Sequence, residues 1–197
     1  MVDIDLIAKA KEKDSQAFRV LFNTYKVKAY KTACMLLKDN QYAEDVVQEA
    51  FLQVYLKLNK LSNPAAFEKW LYKIVVNLCY DILRKKGKDK AASMDEAINL
   101  YGDFLIDNDD KPEDEVVKKE LYKIVNEKID LLPLKHRTVL ILYYFNGFDI
   151  QHIAEIISTS QGTVKSRLFY ARKVLKESLD CIKDDFIEDN GGSLYEY

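Results

Sequence analysis

The chain of 197 residues sets 30 Lys and Arg against 32 Asp and Glu, a formal net charge of -2, and 48% of it is hydrophobic. This length suits one ordinary domain or two small ones, and near-neutrality excludes binding nucleic acid by bulk charge, so any such role needs local patches. Six glycines and three prolines are too few for a turn-rich sandwich or barrel and point to an all-α chain.

The N-terminus "MVDIDLIAKAKEKD" lacks the basic start and apolar core of a signal peptide, and no run approaches 18 apolar residues. Three widely spaced cysteines, Cys34, Cys79 and Cys181, suit a reducing compartment without a disulfide framework. With only His136 and His152 beside them, no metal site is expected, nor any other cofactor. The chain reads as soluble and cytoplasmic.

Helical periodicity from residue 3 predicts helices near 3–12, 15–37, 41–60 and 64–86. Asp14 is placed to cap the second, and Asn63 before Pro64 to cap the fourth, with the proline at the first helical position. In the third, "YAEDVVQEAFLQVYLKL" gathers Asp45, Gln48 and Glu49 on one side. Taken alone, that patch reads first as a solvated face and second as a dock for a basic protein. In the fourth, Phe67, Leu71, Ile74, Leu78 and Ile82 form the expected buried stripe. Beside it Trp70, Lys73, Asn77, Tyr80 and Arg84 alternate ring, cation, amide, ring and cation. Rings can stack on unpaired bases, an amide can bond an extruded base, and cations can hold phosphates; a solvated flank is the plainer alternative.

Past residue 86 the pattern dissolves into "GKDKAASMDEAINLYGDFLIDNDDKPEDEV", with seven acids and one lysine between Asp103 and Glu115. Such a segment cannot bury enough apolar area to offset its ordering entropy and is expected to be a flexible acidic linker. Periodicity returns with helices at about 114–130, 134–145, 149–156 and 161–181, followed by an acidic, frayed tail with a Gly-Gly break. The last two helices and the short turn between them have the dimensions of a helix-turn-helix. In "GTVKSRLFYARK", Val164, Leu168 and Ala171, with Leu175 beyond, form the buried stripe. Gly162, Ser166, Phe169, Tyr170 and Lys173 face outward, with Lys165, Arg167 and Arg172 on the shoulders. Cations and rings outward on one helix suit phosphates and base edges.

Four segments, "AEDVVQEAFLQVY", "FEKWLYKIVVNLCYDILRK", "LPLKHRTVLILYYFNGFDIQHIAEI" and "GTVKSRLFYARKVLKESL", resemble successive signatures of the extracytoplasmic-function sigma factors, in that family's order and spacing. The resemblance covers roughly residues 5–180. It implies a non-enzymatic promoter-specificity subunit of bacterial RNA polymerase, all-α, in two small helical domains: region 2 over 1–86, the acidic linker over 87–113, region 4 over 114–182, then an acidic tail over 183–197. It assigns Asp45, Gln48 and Glu49 to the clamp helices of the polymerase largest subunit. Trp70, Lys73, Asn77, Tyr80 and Arg84 go to melted -10 DNA, with Asn77 at the base pocket. Lys165, Ser166, Arg167, Phe169 and Arg172 go to -35 duplex. It also implies an anti-sigma factor, in many family members membrane-bound, while this chain itself is not membrane-inserted. Two features, the capping box and the turn, depart from the family pattern. Asp149 and His152 replace a hydroxyl cap and a glutamate, and Ser158 replaces the turn glycine. An autonomous helix-turn-helix repressor would need a dimer interface and would leave the Trp70–Arg84 stripe without a role; a nucleic-acid-processing enzyme would need clustered carboxylates or a metal site.

Overall fold

The computed structural model describes residues 3–88 and 125–189, with side chains described to 86 and from 125 to 177. Every regular element among these residues is helical: α1 (Ile4–Lys11), α2 (Ser15–Leu37), α3 (Asn40–Lys57), α4 (Phe67–Lys88), α5 (125–131), α6 (Leu134–Leu140), α7 (Ile150–Ile156) and α8 (Gln161–Asp189). Most of the expected linker, the start of the helix expected from 114, and the last eight tail residues lie outside the described residues. Helix α8 runs on to Asp189 rather than stopping near 181. Between those points the sequence holds neither Gly nor Pro, and the first helix breaker is Gly191.

The helix starts follow from short polar side chains that answer free backbone N–H groups. Asp14 Oδ1 accepts from the amides of Gln16 (2.8 Å) and Ala17 (3.0 Å), and Asn63 Oδ1 accepts from Ala65 (3.0 Å) ahead of Pro64. Asp39 does the same for α3, accepting from Tyr42 at 3.1 Å. Asp149 caps α7 through the His152 amide at 2.7 Å. In place of a reciprocal glutamate bond, its second oxygen lies 3.1 Å from His152 Nδ1. Ser160 opens α8 by accepting from Thr163 at 3.1 Å. Between α7 and α8, Ser158 sits at φ 51, the left-handed region that favours glycine. Ser158→Gly is therefore expected to stabilise the protein by about 0.5–1 kcal/mol, read as a rise in Tm; a lower Tm would refute strain at that turn.

The first unit, α1–α4, is an aromatic-rich bundle in which Phe22 meets Phe51 edge-on at 4.8 Å and Tyr25 meets Phe67 at 5.3 Å. The second, α5–α8, packs α6 and α7 on α8. Two helical units were expected, but not how closely they join. One continuous apolar core runs from Ile7 through Phe67, Leu71 and Val75 to Leu142, Ile153 and Val164. Helix α4 is its spine, with α2 and α3 on one side and α7 on the other. This corrects the expected buried stripe. Phe67 and Leu71 are buried as expected, but the rest of the face is Tyr72, Val75, Val76 and Cys79, with Ile74, Leu78 and Ile82 half-buried. A helix covered from two sides buries a wider arc than one packed on a single bundle.

The seam between the units is tied by polar groups. Asn146 Nδ2 donates to Thr32 Oγ1 (2.9 Å), while Lys28 Nζ donates to Asn146 O (3.0 Å), so two α2 residues one turn apart grip one loop residue. The buried Arg137 guanidinium donates to Leu36 O at 3.0 Å and Asp130 O at 3.1 Å. Lys38, left-handed at the end of α2, donates to Asp130 O at 2.7 Å and pairs with its carboxylate at 3.5 Å. Lys69 of α4 pairs with Glu155 of α7, and the Tyr72 and Phe148 rings meet at 5.2 Å. The match is imperfect: Tyr72 Oη and Asn146 Oδ1 are buried without a well-formed hydrogen bond.

Candidate nucleic-acid and partner interfaces

On α4, at 100° per residue, Lys73, Asn77 and Arg84 fall within about 40° of one another, opposite the Phe67–Cys79 face. All three are exposed. Trp70 and Tyr80 flank them half-buried, Trp70 tilted against Phe67 at 6.3 Å. Arg84 donates to Asp81 at 3.0 Å, an exposed pair one turn away that a phosphate can displace. Tyr80 differs from the others, because its hydroxyl donates to Thr138 of α6 at 2.9 Å. Burial pushes its phenol up in pKa, opposed by Thr138 and by the nearby Arg167 guanidinium.

On α8, Val164, Leu168 and Ala171 are buried, as the periodicity predicts. Phe169 is 71% exposed, an apolar ring standing in solvent beside Lys165 and Ser166. The Ser166 hydroxyl donates back to Thr163 O at 3.0 Å. Arg172 is exposed, yet its guanidinium rests over Tyr143 and Tyr144, 5.3 and 5.4 Å from their centroids. Those rings sit on a π-turn, Ile141–Phe145, that continues α6. The two tyrosines hold the cation in place while leaving its edge to solvent. Tyr170 leans on His136 at 4.5 Å. Arg167 is half-buried, and burial and that guanidinium together lower the His136 pKa. Thus most of the residues predicted for DNA stand open, while Tyr80 is bonded to the second unit and Arg167 is half-buried.

On α3, Asp45, Gln48 and Glu49 are all exposed. The same stripe continues through three residues that the sequence reading missed: Leu52 (52% exposed), Tyr55 (52%) and Leu56 (63%). At 100° per residue the six span about 120°. The periodicity carried a signal for this, because Leu52 and Leu56 fall in register with Asp45 and Glu49, not with Val47, Ala50 and Val54. With two acids, an amide and three apolar or aromatic side chains, the stripe has the composition of a protein interface rather than of a solvated face.

Among the described residues no group of His, Cys, Asp or Glu could hold a metal ion, and no helix is long and apolar enough to cross a membrane. The family model for sigma-70 region 2 matches residues 21–89 and that for sigma-70 region 4 matches residues 122–175. The chain is 34% identical over 177 residues to the ECF RNA polymerase sigma factor SigW of Bacillus subtilis, covering 88% of this chain and 94% of that one. It is 31% identical over 180 residues to the RNA polymerase sigma-H factor of Pseudomonas aeruginosa, covering 90% and 93%. Two solved structures share its fold. CnrH in complex with the cytosolic domain of CnrY matches with a TM-score of 0.65 and 21% identity, covering 92% of this chain and 99% of that one. The sigma factor RpoE of Bartonella quintana, in complex with the anti-sigma factor NepR, matches with a TM-score of 0.67 and 23% identity, covering 83% and 96%.

Proposed function

The chain belongs to the extracytoplasmic-function sigma factors of RNA polymerase, and from that membership we propose how its surfaces divide the work of promoter-specific initiation. It is a non-enzymatic initiation factor that binds core polymerase and promoter DNA, and it works in the cytoplasm, beside the polymerase. Residues 1–86 serve as the core-binding and -10 unit and 114–182 as the -35 unit, with 87–113 between them and 183–197 beyond.

The observation that carries this division is the open line of Lys73, Asn77 and Arg84 on α4, opposite the core and flanked by Trp70 and Tyr80. Melting the -10 region costs a few kcal/mol per unstacked base, and stacking of about 1–3 kcal/mol per base offsets it. Asn77 supplies the hydrogen bonds that distinguish one extruded base from another, while Lys73 and Arg84 hold the strand. Lys165, Ser166, Arg167, Phe169 and Arg172 of α8 read the -35 duplex. Asp45, Gln48 and Glu49, extended by Leu52, Tyr55 and Leu56, dock on the polymerase clamp helices. That docking makes the second DNA contact intramolecular, so two individually weak readers act together. An anti-sigma partner of the kind captured on RpoE is proposed to restrain the chain.

The direct test is run-off transcription with bacterial core polymerase on DNA upstream of the protein's own operon. A discrete transcript that depends on the protein supports the assignment. Failure to bind core polymerase at all would overturn it in favour of an autonomous DNA-binding protein.

A further inference from the structure

Helix α6 does not finish as an α-helix. Its continuation, Ile141–Phe145, winds as a π-turn in which the Asn146 amide donates to Ile141 O, five residues back, at 3.0 Å. Gly147, left-handed at φ 78, then redirects the chain toward α7. Wide turns of this kind are rare in helices and frequent at functional sites. This one presents two consecutive rings. Tyr143 and Tyr144 meet edge-on, centroids 5.0 Å apart and planes at 76°, and so form a corner. The Arg172 guanidinium lies in that corner, 5.3 Å from one centroid and 5.4 Å from the other. Tyr144 is 59% exposed, so packing of the core does not explain why a ring stands there.

On α8, Lys165, Phe169, Arg172 and Lys176 fall within about 60° of one another at 100° per residue. All four are exposed. An arginine left to sample its rotamers adds affinity for any phosphate it meets and reads no sequence. A guanidinium held in one place presents a fixed fork, which matches the O6 and N7 acceptors of guanine in the major groove.

We propose that Tyr143 and Tyr144 are positioning residues of the -35 reader, holding Arg172 so that it reads a G·C pair instead of gripping phosphates at large. This deepens the -35 assignment above and rests on it. The rings act through the guanidinium and need touch no DNA themselves.

The test uses core polymerase carrying the full chain and a pool of short duplexes of random sequence, captured and sequenced. The parent is expected to enrich a motif containing a G·C pair that Arg172→Ala no longer enriches. The paired substitutions Tyr143→Leu and Tyr144→Leu are expected to cut enrichment at that same pair by about three- to tenfold and to keep the rest of the motif. Tyr143→Phe with Tyr144→Phe keeps both ring faces and is expected to restore the preference. In an Arg172→Ala background the leucine pair should change the motif by less than about twofold, because the rings then hold nothing. Tyr144→Leu alone, at an exposed site, is expected to give a smaller loss and serves if the pair disturbs folding.

A parent motif that the folded leucine variants leave unchanged overturns the positioning role. So does a loss of equal size with and without Arg172, a uniform weakening across all sequences, or failure of the phenylalanine pair to restore the preference. A parent that enriches no motif overturns the -35 assignment itself, and the positioning role with it.

Discussion

Replacing Asn77 with alanine is expected to slow open-complex formation by about ten- to a hundredfold while leaving assembly with core polymerase unchanged. The side chain is exposed at the centre of the open line on α4, a full turn from Lys73. An amide that bonds an extruded base contributes on the order of 1–3 kcal/mol, and each 1.4 kcal/mol is a factor of ten in rate. The substitution carries its own control. Alanine is the better helix former by roughly 0.5 kcal/mol, so the variant should melt no lower than the parent. Permanganate footprinting of the -10 thymines would read the effect directly, and equal reactivity with both proteins would remove Asn77 from the base pocket.

The second large effect is expected at Leu56. Leu56→Asp should weaken binding to core polymerase by thirtyfold or more, because a carboxylate placed in an apolar contact costs about 2–4 kcal/mol. At 63% exposure the leucine supports little of the fold, so stability should fall by only about 1 kcal/mol, the cost of aspartate in the last turn of a helix. Lys57, one residue on, points away from the stripe and bonds Gln53 at 3.0 Å; Lys57→Ala should bind normally. Co-migration assays with labelled protein would separate the two. Equal affinity for Leu56→Asp and parent would return Leu52, Tyr55 and Leu56 to the status of a solvated face.

Local features were the most legible in the sequence. Asp14, Asn63 and Asp149 cap the helices they precede because capping depends only on a short acceptor and the next few amides. The recognition helix was legible for a similar reason, since it packs by one narrow stripe and Phe169 is left outside. Helix α4 was harder. A helix that touches two bodies has two apolar arcs, and a single-stripe reading averages them, so Tyr72, Val76 and Cys79 were passed over. The seam itself was illegible, because Thr32, Arg137 and Asn146 are ordinary polar residues until residues over 100 positions apart are brought together. Leu52, Tyr55 and Leu56 were hidden differently: in a sequence an exposed leucine looks the same as a buried one.

The double duty of α4 also bears on how promoter preference can change. Lys73, Asn77 and Arg84 face solvent, Arg84 beside Asp81 of its own helix, so substitutions there leave the core packing in place. Lys69, Tyr72 and Tyr80 touch the second unit, so any change to them also alters the packing between the units. An engineer seeking new promoter preferences on an unchanged fold should vary the open line and leave the seam residues fixed.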